Sequence, residues 1–214
     1  MKPTVVFDLD GTLVDSLADI AASFRHVLRA FGLPEPDDRA MAGLIGRPLV
    51  EMFRRAAPGA DAEALAEAYR AHYREHMADR SRPYPGVPEL LARLRGEGYA
   101  LVVATTKRTA TARKLAEAVG ILHLLDHVQG TDGLPAKPAP DVVEAAVQAV
   151  SGQGVCMVGD TVHDVLAGKA AGLCTFAVTW GNHDAATLAA VAPDHLEPTL
   201  EPLPERLEPA LARR

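Results

Sequence analysis

The chain has 214 residues and a formal net charge of −6. A surface of that sign does not attract nucleic acid or anionic membrane, so an anionic ligand would need local cations or a bound metal. Aromatic residues make up only 5 % of the sequence, so Leu, Val and Ala must build most of the core, which favours helices packed on a sheet over an aromatic-rich β-sandwich.

Met1-Lys2 leads straight into the run Pro3 to Asp8, which reads as a buried strand ending in polar residues. The start has no signal-peptide layout, and no apolar stretch approaches the ~20 residues of a membrane span, so the expected location is the cytoplasm. A helical pattern follows from Ser16 to Phe31, with Ile20, Phe24, Val27, Leu28 and Phe31 at helix spacing. A short helix is predicted over Leu49 to Ala57, and a longer one over Ala62 to Met77 with Leu65, Ala68, Tyr69, His72, Tyr73 and His76. Gly32-Leu33-Pro34 and Pro58-Gly59 punctuate these helices. The span up to Pro83-Tyr84-Pro85-Gly86 is far longer than one crossover connection requires. It predicts an all-helical domain over 16–82, inserted into a core made of 1–15 and 83–214.

Beyond the insertion, the strand-like runs Ala100 to Thr105, Asp126 to Gly130 (the weakest), Val155 to Asp160 and Cys174 to Val178 alternate with helical patterns. Those helices are predicted over Val87 to Gly96, Thr109 to Gly120, Asp141 to Ser151 and Asp164 to Gly172. Continuous apolar strands separated by helices imply a parallel sheet covered on both faces. The expected fold is a doubly wound, Rossmann-like α/β sheet. Cys156 and Cys174 lie in apolar runs and read as buried thiols rather than a secreted staple. The Pro-rich end, Pro193 to Pro209, reads as a loosely held tail.

Ligands of a doubly wound sheet bind outside the carboxyl ends of its strands. Those ends carry Asp8-Leu9-Asp10-Gly11-Thr12, Thr105-Thr106-Lys107 and Gly159-Asp160, with Asp164 four residues on and Lys137 in the loop after the weak strand. Carboxylates brought together raise one another's pKa, a conflict that a divalent cation removes, and all-oxygen ligation suits Mg²⁺. Asp8 is then placed to act as a nucleophile that forms an aspartyl-phosphate. Asp10 would serve as acid and base, Gly11 would let the loop turn tightly round the phosphate, and Lys137 would stabilise the transferring group.

Together Asp8-x-Asp10-Gly11-Thr12-Leu13, Thr105, Lys137-Pro138-x-Pro140 and Gly159-Asp160-x-x-x-Asp164 resemble the four motifs of the haloacid dehalogenase superfamily. They stand in the expected order and span essentially the whole chain, with a helical cap after the first motif. Each motif alone is weak, but four in register are specific. Within the superfamily, Pro83-Tyr84-Pro85-Gly86-Val87 and the block ending Ala170-Ala171-Gly172 are similar to phosphoglycolate phosphatases. The resemblance implies that Asp8, the backbone carbonyl of Asp10 and Asp160 bind Mg²⁺, with Asp164 ligating directly or through water. It also implies that Thr105 binds a phosphate oxygen and that Lys137 bridges nucleophile and phosphate. Substrate contacts are expected from Gly11, Thr106, Lys107 and Arg47, with Thr106 standing where this subgroup usually has Asn. The segment Gly43 to Pro48 has two readings, a plain turn or a specificity loop whose Arg47 meets a carboxylate or second phosphate.

Asp10 argues against haloacid dehalogenation and against the phosphonatase pattern. A β-phosphoglucomutase would keep Asp10 and all four motifs, and pyrophosphatase and nucleotidase members of the superfamily are further alternatives. A receiver-like phospho-aspartate switch would have no helical insertion. The expected partner is therefore a small phosphorylated molecule, with phosphoglycolate first. His72, His76 and Tyr73 read as a packing or solvated face rather than a metal site, and Trp180 as packing. His163 reads either as a substrate contact or as lining of the mouth.

Overall fold

The structure, a computed structural model, describes residues 1–212. Six parallel strands form the central sheet: β1 (Pro3–Phe7), β4 (Ala100–Ala104), β5 (His127–Gln129), β6 (Gln153–Gly159), β7 (Cys174–Val178) and β8 (His195–Glu197). Their order across the sheet is β5-β4-β1-β6-β7-β8. The chain builds outward from β1 through β4 to β5, then crosses back to lay β6, β7 and β8 on the other side. The strand order thus reverses at β1, where a doubly wound sheet opens its ligand crevice.

Alternation along the strands divides the core into two layers. Val5, Phe7, Leu101 and Val103 face helices α5 (Val87–Gly96), α6 (Thr109–Ala118) and α10 (Leu203–Ala212), represented by Leu91, Leu94, Leu115, Leu203 and Leu207. Val6, Val102, Ala104 and Met157 face α7 (Asp141–Ala149) and α8 (Val162–Ala170) through Val142, Val143, Ala146 and Ala167. Every strand residue named here is buried, as expected for strands covered on both faces.

The segment between β1 and β4 holds α1 (Leu17–Ala30), α2 (Asp38–Ala42), α3 (Leu49–Ala56) and α4 (Ala62–His76). Two-residue strands β2 (Val14–Asp15) and β3 (Arg82–Pro83) pair antiparallel where the chain leaves and re-enters the sheet. The helices are held by an aromatic chain: Phe24 stacks on Phe53 at 4.2 Å, Phe53 meets Tyr69 edge-on at 6.2 Å, and Tyr69 stacks on Tyr73 at 5.2 Å. Buried Asp19 of α1 accepts from the main-chain N–H of Arg80 (2.9 Å) and Ser81 (2.8 Å), which ties the exit of the segment to its entrance.

Pro193 to Pro209 is not a loose tail. After the short helix α9 (Ala185–Ala189), it contributes edge strand β8 and α10, whose Leu203 and Leu207 are buried. Cys156 and Cys174 stand opposite each other on adjacent strands and are not joined by a disulfide. No helix among the described residues is long and apolar enough to cross a membrane.

Candidate active site

Asp8 follows the last residue of β1, and its main-chain N–H donates to the Val158 carbonyl of β6 at 2.8 Å. The strand pairing thereby sets its side chain between β4 and β6. Asp160 ends β6 in the same way, and Asp164 lies on the first turn of α8. One carboxylate oxygen from each of Asp8, Asp160 and Asp164 lies within 4.8 Å of the others, and all three residues are buried. Lys137, from the loop before α7, places its Nζ 2.7 Å from Asp8 Oδ1 and 2.5 Å from Asp164 Oδ1, and also donates to the Ala104 carbonyl at 2.9 Å.

The charges do not balance locally. Burial pushes Asp8 well above the usual carboxylate range; Lys137 opposes the shift, and Asp164, Asp160 and Asp10 add to it. Asp160 is pushed up to about 7 by burial and Asp164, against hydrogen bonds from Asn182 and Thr12. Lys137 is itself buried, yet Asp164 and Asp8 hold its ammonium above the normal lysine range, so it stays charged.

Asp10 sits two residues beyond Asp8 and takes no part in that cluster. Its Oδ1 accepts from Ser16 Oγ, and its Oδ2 lies 2.9 Å from Lys107 Nζ. Thr105 is buried at the end of β4, and its Oγ1 accepts the Lys107 N–H at 3.3 Å. Gly11 turns with φ +84°, and a Cβ there would stand 2.3 Å from Asp160 Oδ2. The residue is glycine because Asp160 packs against it. Its own N–H donates to the Val14 carbonyl at 2.9 Å, which holds the turn that the sequence reading expected of Gly11.

A cavity of about 300 Å³ opens above these groups. Asp8, Asp10 and Lys137 line it from the sheet, Thr106 and Lys107 from the end of β4, and Arg47, Tyr69 and Tyr73 from the helical segment. The loop carrying Arg47 is seated on the core: a Cβ on Gly46 would stand 3.3 Å from Thr161 Cγ2. Arg47 Nη1 lies 3.3 Å from Glu51 Oε1, an oxygen that Arg55 also contacts at 2.8 Å. Lys107, expected to touch substrate, has its ammonium committed to Asp10 here.

Asp164 also makes a reciprocal cap with Thr161 at the start of α8, so the capping and cluster positions coincide in one side chain. His72 and His76 stack at 4.3 Å and hydrogen-bond Ser23 and Asp79, a packing arrangement. Trp180 packs on Tyr84 at 5.5 Å. His163 is half-buried with its ring centroid 6.3 Å from that of His183.

Sequence reasoning missed Asn182. Its main-chain N–H and its Nδ2 both donate to Asp160 Oδ2, at 2.7 and 2.8 Å, while Thr12 Oγ1 donates to Asp160 Oδ1 at 2.9 Å. A Cβ on neighbouring Gly181 would stand 2.2 Å from Asp160 Oδ2, so the turn after β7 wraps the carboxylate closely. The only sequence signal was a polar Trp180-Gly181-Asn182 turn just after a strand end.

The sequence matches the haloacid dehalogenase-like hydrolase family over residues 5–178. It is 41 % identical over 202 residues to the probable phosphatase IndB of Dickeya dadantii, covering 90 % of this chain and 88 % of that protein. It is 34 % identical over 193 residues to the phosphoglycolate phosphatase of Mesorhizobium japonicum, covering 86 % and 85 %. Among solved structures it is similar to the haloacid dehalogenase-like family hydrolase SP0104 of Streptococcus pneumoniae, with a TM-score of 0.86 at 30 % identity, covering 96 % of this chain and 98 % of that one. With the parallel sheet and the Asp8 crevice already in view, these matches establish that the chain belongs to the haloacid dehalogenase-like hydrolase family.

Proposed function

We propose that this protein is a Mg²⁺-dependent phosphomonoesterase that works through an aspartyl-phosphate on Asp8. One observation carries the reading: a buried Asp8 held by the Lys137 ammonium at the edge of a cavity, with a separately anchored Asp10 beside it. The Asp8 carboxylate attacks phosphorus, the ester P–O bond breaks, and Asp10 gives its proton to the leaving oxygen. Asp10 then takes a proton from water, whose oxygen attacks phosphorus, releasing phosphate and the free Asp8 carboxylate. Lys137 keeps Asp8 oriented and offers positive charge to the transferring group, and the Thr105 hydroxyl would receive a phosphate oxygen.

The donor set fits Mg²⁺. Asp8, Asp160, Asp164 and the Asp10 carbonyl are hard oxygen donors, and the four neighbouring carboxylates of Asp8, Asp10, Asp160 and Asp164 outnumber the two lysines, Lys137 and Lys107, that pair with them. Asn182 Oδ1, beside Asp160, is buried without a hydrogen-bond partner among the described residues, an acceptor that a hydrated cation would satisfy. Bound there, Mg²⁺ supplies charge stabilisation for phosphoryl transfer. Asn182→Ala is expected to weaken Mg²⁺ binding about 10-fold, because a hydrogen bond orienting Asp160 is lost. Titration calorimetry checks this, and unchanged affinity would remove Asn182 from the role.

Residues 16–82 act as a cap that excludes water from the crevice and limits it to small phosphorylated metabolites. Phosphoglycolate is the first substrate to test, supported by the name of the Mesorhizobium relative and by Arg47 as a carboxylate partner. The deciding assay is hydrolysis of p-nitrophenyl phosphate and of a phosphorylated metabolite panel, with Mg²⁺ and with EDTA. Mg²⁺-dependent release of phosphate is expected, and inactivity on every compound would sink the reading.

A further inference from the structure

We propose that Lys107 is a positioning residue for Asp10, and that the ring of Tyr73 in α4 holds Lys107 in that role. The inference rests on the phosphomonoesterase reading. It gives the helical segment a part in positioning the proton donor, beyond its service as a cover.

Lys107 stands on an anchored loop. Its N–H donates to Thr105 Oγ1 at 3.3 Å, and its carbonyl accepts from Thr131 N–H at 3.0 Å. Its Nζ lies 2.9 Å from Asp10 Oδ2, and the two side chains are 14 % and 13 % exposed. Ser16 Oγ holds the other Asp10 oxygen, so the carboxylate plane is fixed from two sides. Lys107 Nζ also sits 4.7 Å from the centroid of the Tyr73 ring, within cation–π range. Tyr73 is 2 % exposed, and its hydroxyl has no hydrogen-bond partner among the described residues. The hydroxyl therefore contributes nothing visible to this arrangement, while the ring, stacked on Tyr69, forms the upper side of the lysine's seat. The two lysines of the crevice divide their partners: Lys137 serves Asp8 and Asp164, and Lys107 serves Asp10.

A lysine that contacted phosphate would matter equally for every phosphomonoester. A lysine that positions the proton donor matters only when the leaving oxygen needs a proton. p-Nitrophenolate departs as the anion, whereas an alkoxide must be protonated as the P–O bond breaks. The test compares kcat/KM, which reports on steps up to transfer onto Asp8, for p-nitrophenyl phosphate and for the best alkyl phosphomonoester of a metabolite panel, with Mg²⁺. Lys107→Met is expected to lower kcat/KM about 100-fold on the alkyl ester and less than about 5-fold on the aryl ester, the scale of general-acid assistance. Tyr73→Leu is expected to show the same selectivity at about 10-fold, and Tyr73→Phe to restore most of it because the ring remains.

Equal losses on both esters overturn the proposal and return Lys107 to phosphate binding or plain structure. Tyr73→Phe as damaging as Tyr73→Leu overturns the part assigned to the ring. Should Lys107→Met not fold, Lys107→Gln and the Tyr73 pair decide on the same criterion. Wild-type protein inactive on both esters overturns the phosphomonoesterase reading and this inference together, whereas activity with unselective losses overturns this inference alone.

Discussion

Asp8→Asn is expected to lower kcat on phosphomonoesters by about 10⁴-fold or more, the scale on which enzymes lose a covalent nucleophile. The amide is nearly isosteric, so the fold should persist. It also removes one member of a buried cluster in which Asp8, Asp160 and Asp164 oppose one another. Without metal, at pH 8, the variant should therefore unfold no more readily than wild type. Two measurements check this. Acid-quenched wild-type enzyme should carry labelled phosphate that hydroxylamine releases, and the variant should carry none. Thermal denaturation in EDTA should show no loss of stability. Retained turnover in Asp8→Asn would end the nucleophile assignment whatever the metal does.

Lys137→Met is expected to destabilise the fold by about 3–5 kcal/mol at pH 8, because removing one partner of a buried ion pair leaves the other uncompensated. Lys137 is the shared cation of Asp8 and Asp164, and its side chain is 2 % exposed. The pH dependence gives the prediction its sign. Asp8 and Asp160 have folded-state pKa values raised above the ordinary 3.8, Asp160 to about 7. A carboxyl whose pKa is raised by folding costs nothing below its unfolded pKa, and its full cost is present above the folded one. The metal-free protein should thus lose stability as pH rises from about 4 to about 7. Lys137→Met removes the group that opposes the Asp8 shift, so its penalty should be larger at pH 8 than at pH 5. Mg²⁺ should recover stability at pH 8 and little at pH 5, where protons already neutralise part of the cluster. Denaturant titrations at the two pH values, with Mg²⁺ and with EDTA, measure all four corners. A penalty independent of pH would mean that Lys137 acts through packing and not through charge.

The strands that flank the crevice were legible because they are buried on both faces and read as continuous apolar runs. Val5 to Phe7, Leu101 to Ala104 and Val155 to Val158 needed no long-range information. Helices α1 and α4 were legible from apolar spacing, since each buries a stripe against the other. The elements that were missed lacked such a pattern. Strands β2 and β3 have two residues each and exist because Val14 and Pro83 are brought together where the inserted segment begins and ends. Strand β8 is short and half-exposed at the sheet edge, and α10 contains Pro204 and Pro209, so its register shows only once Leu203 and Leu207 find the sheet.

By itself the sequence determined which groups reach the Asp8 crevice: an aspartate closing a buried strand, a second aspartate two residues on, and lysine and acids at other strand ends. Local rules suffice there, because β-pairing carries whatever follows an apolar strand to the same edge of a parallel sheet. Partnership among those groups was decided only by the tertiary structure. Lys137 lies between Asp8 and Asp164, Lys107 turns to Asp10 under a tyrosine from the helical segment, and Asn182 grips Asp160 from a turn more than twenty residues away. Which cation serves which carboxylate depends on distances of a few ångströms between elements far apart in the chain, and charge pairing inside a buried site is settled by those distances and not by residue type.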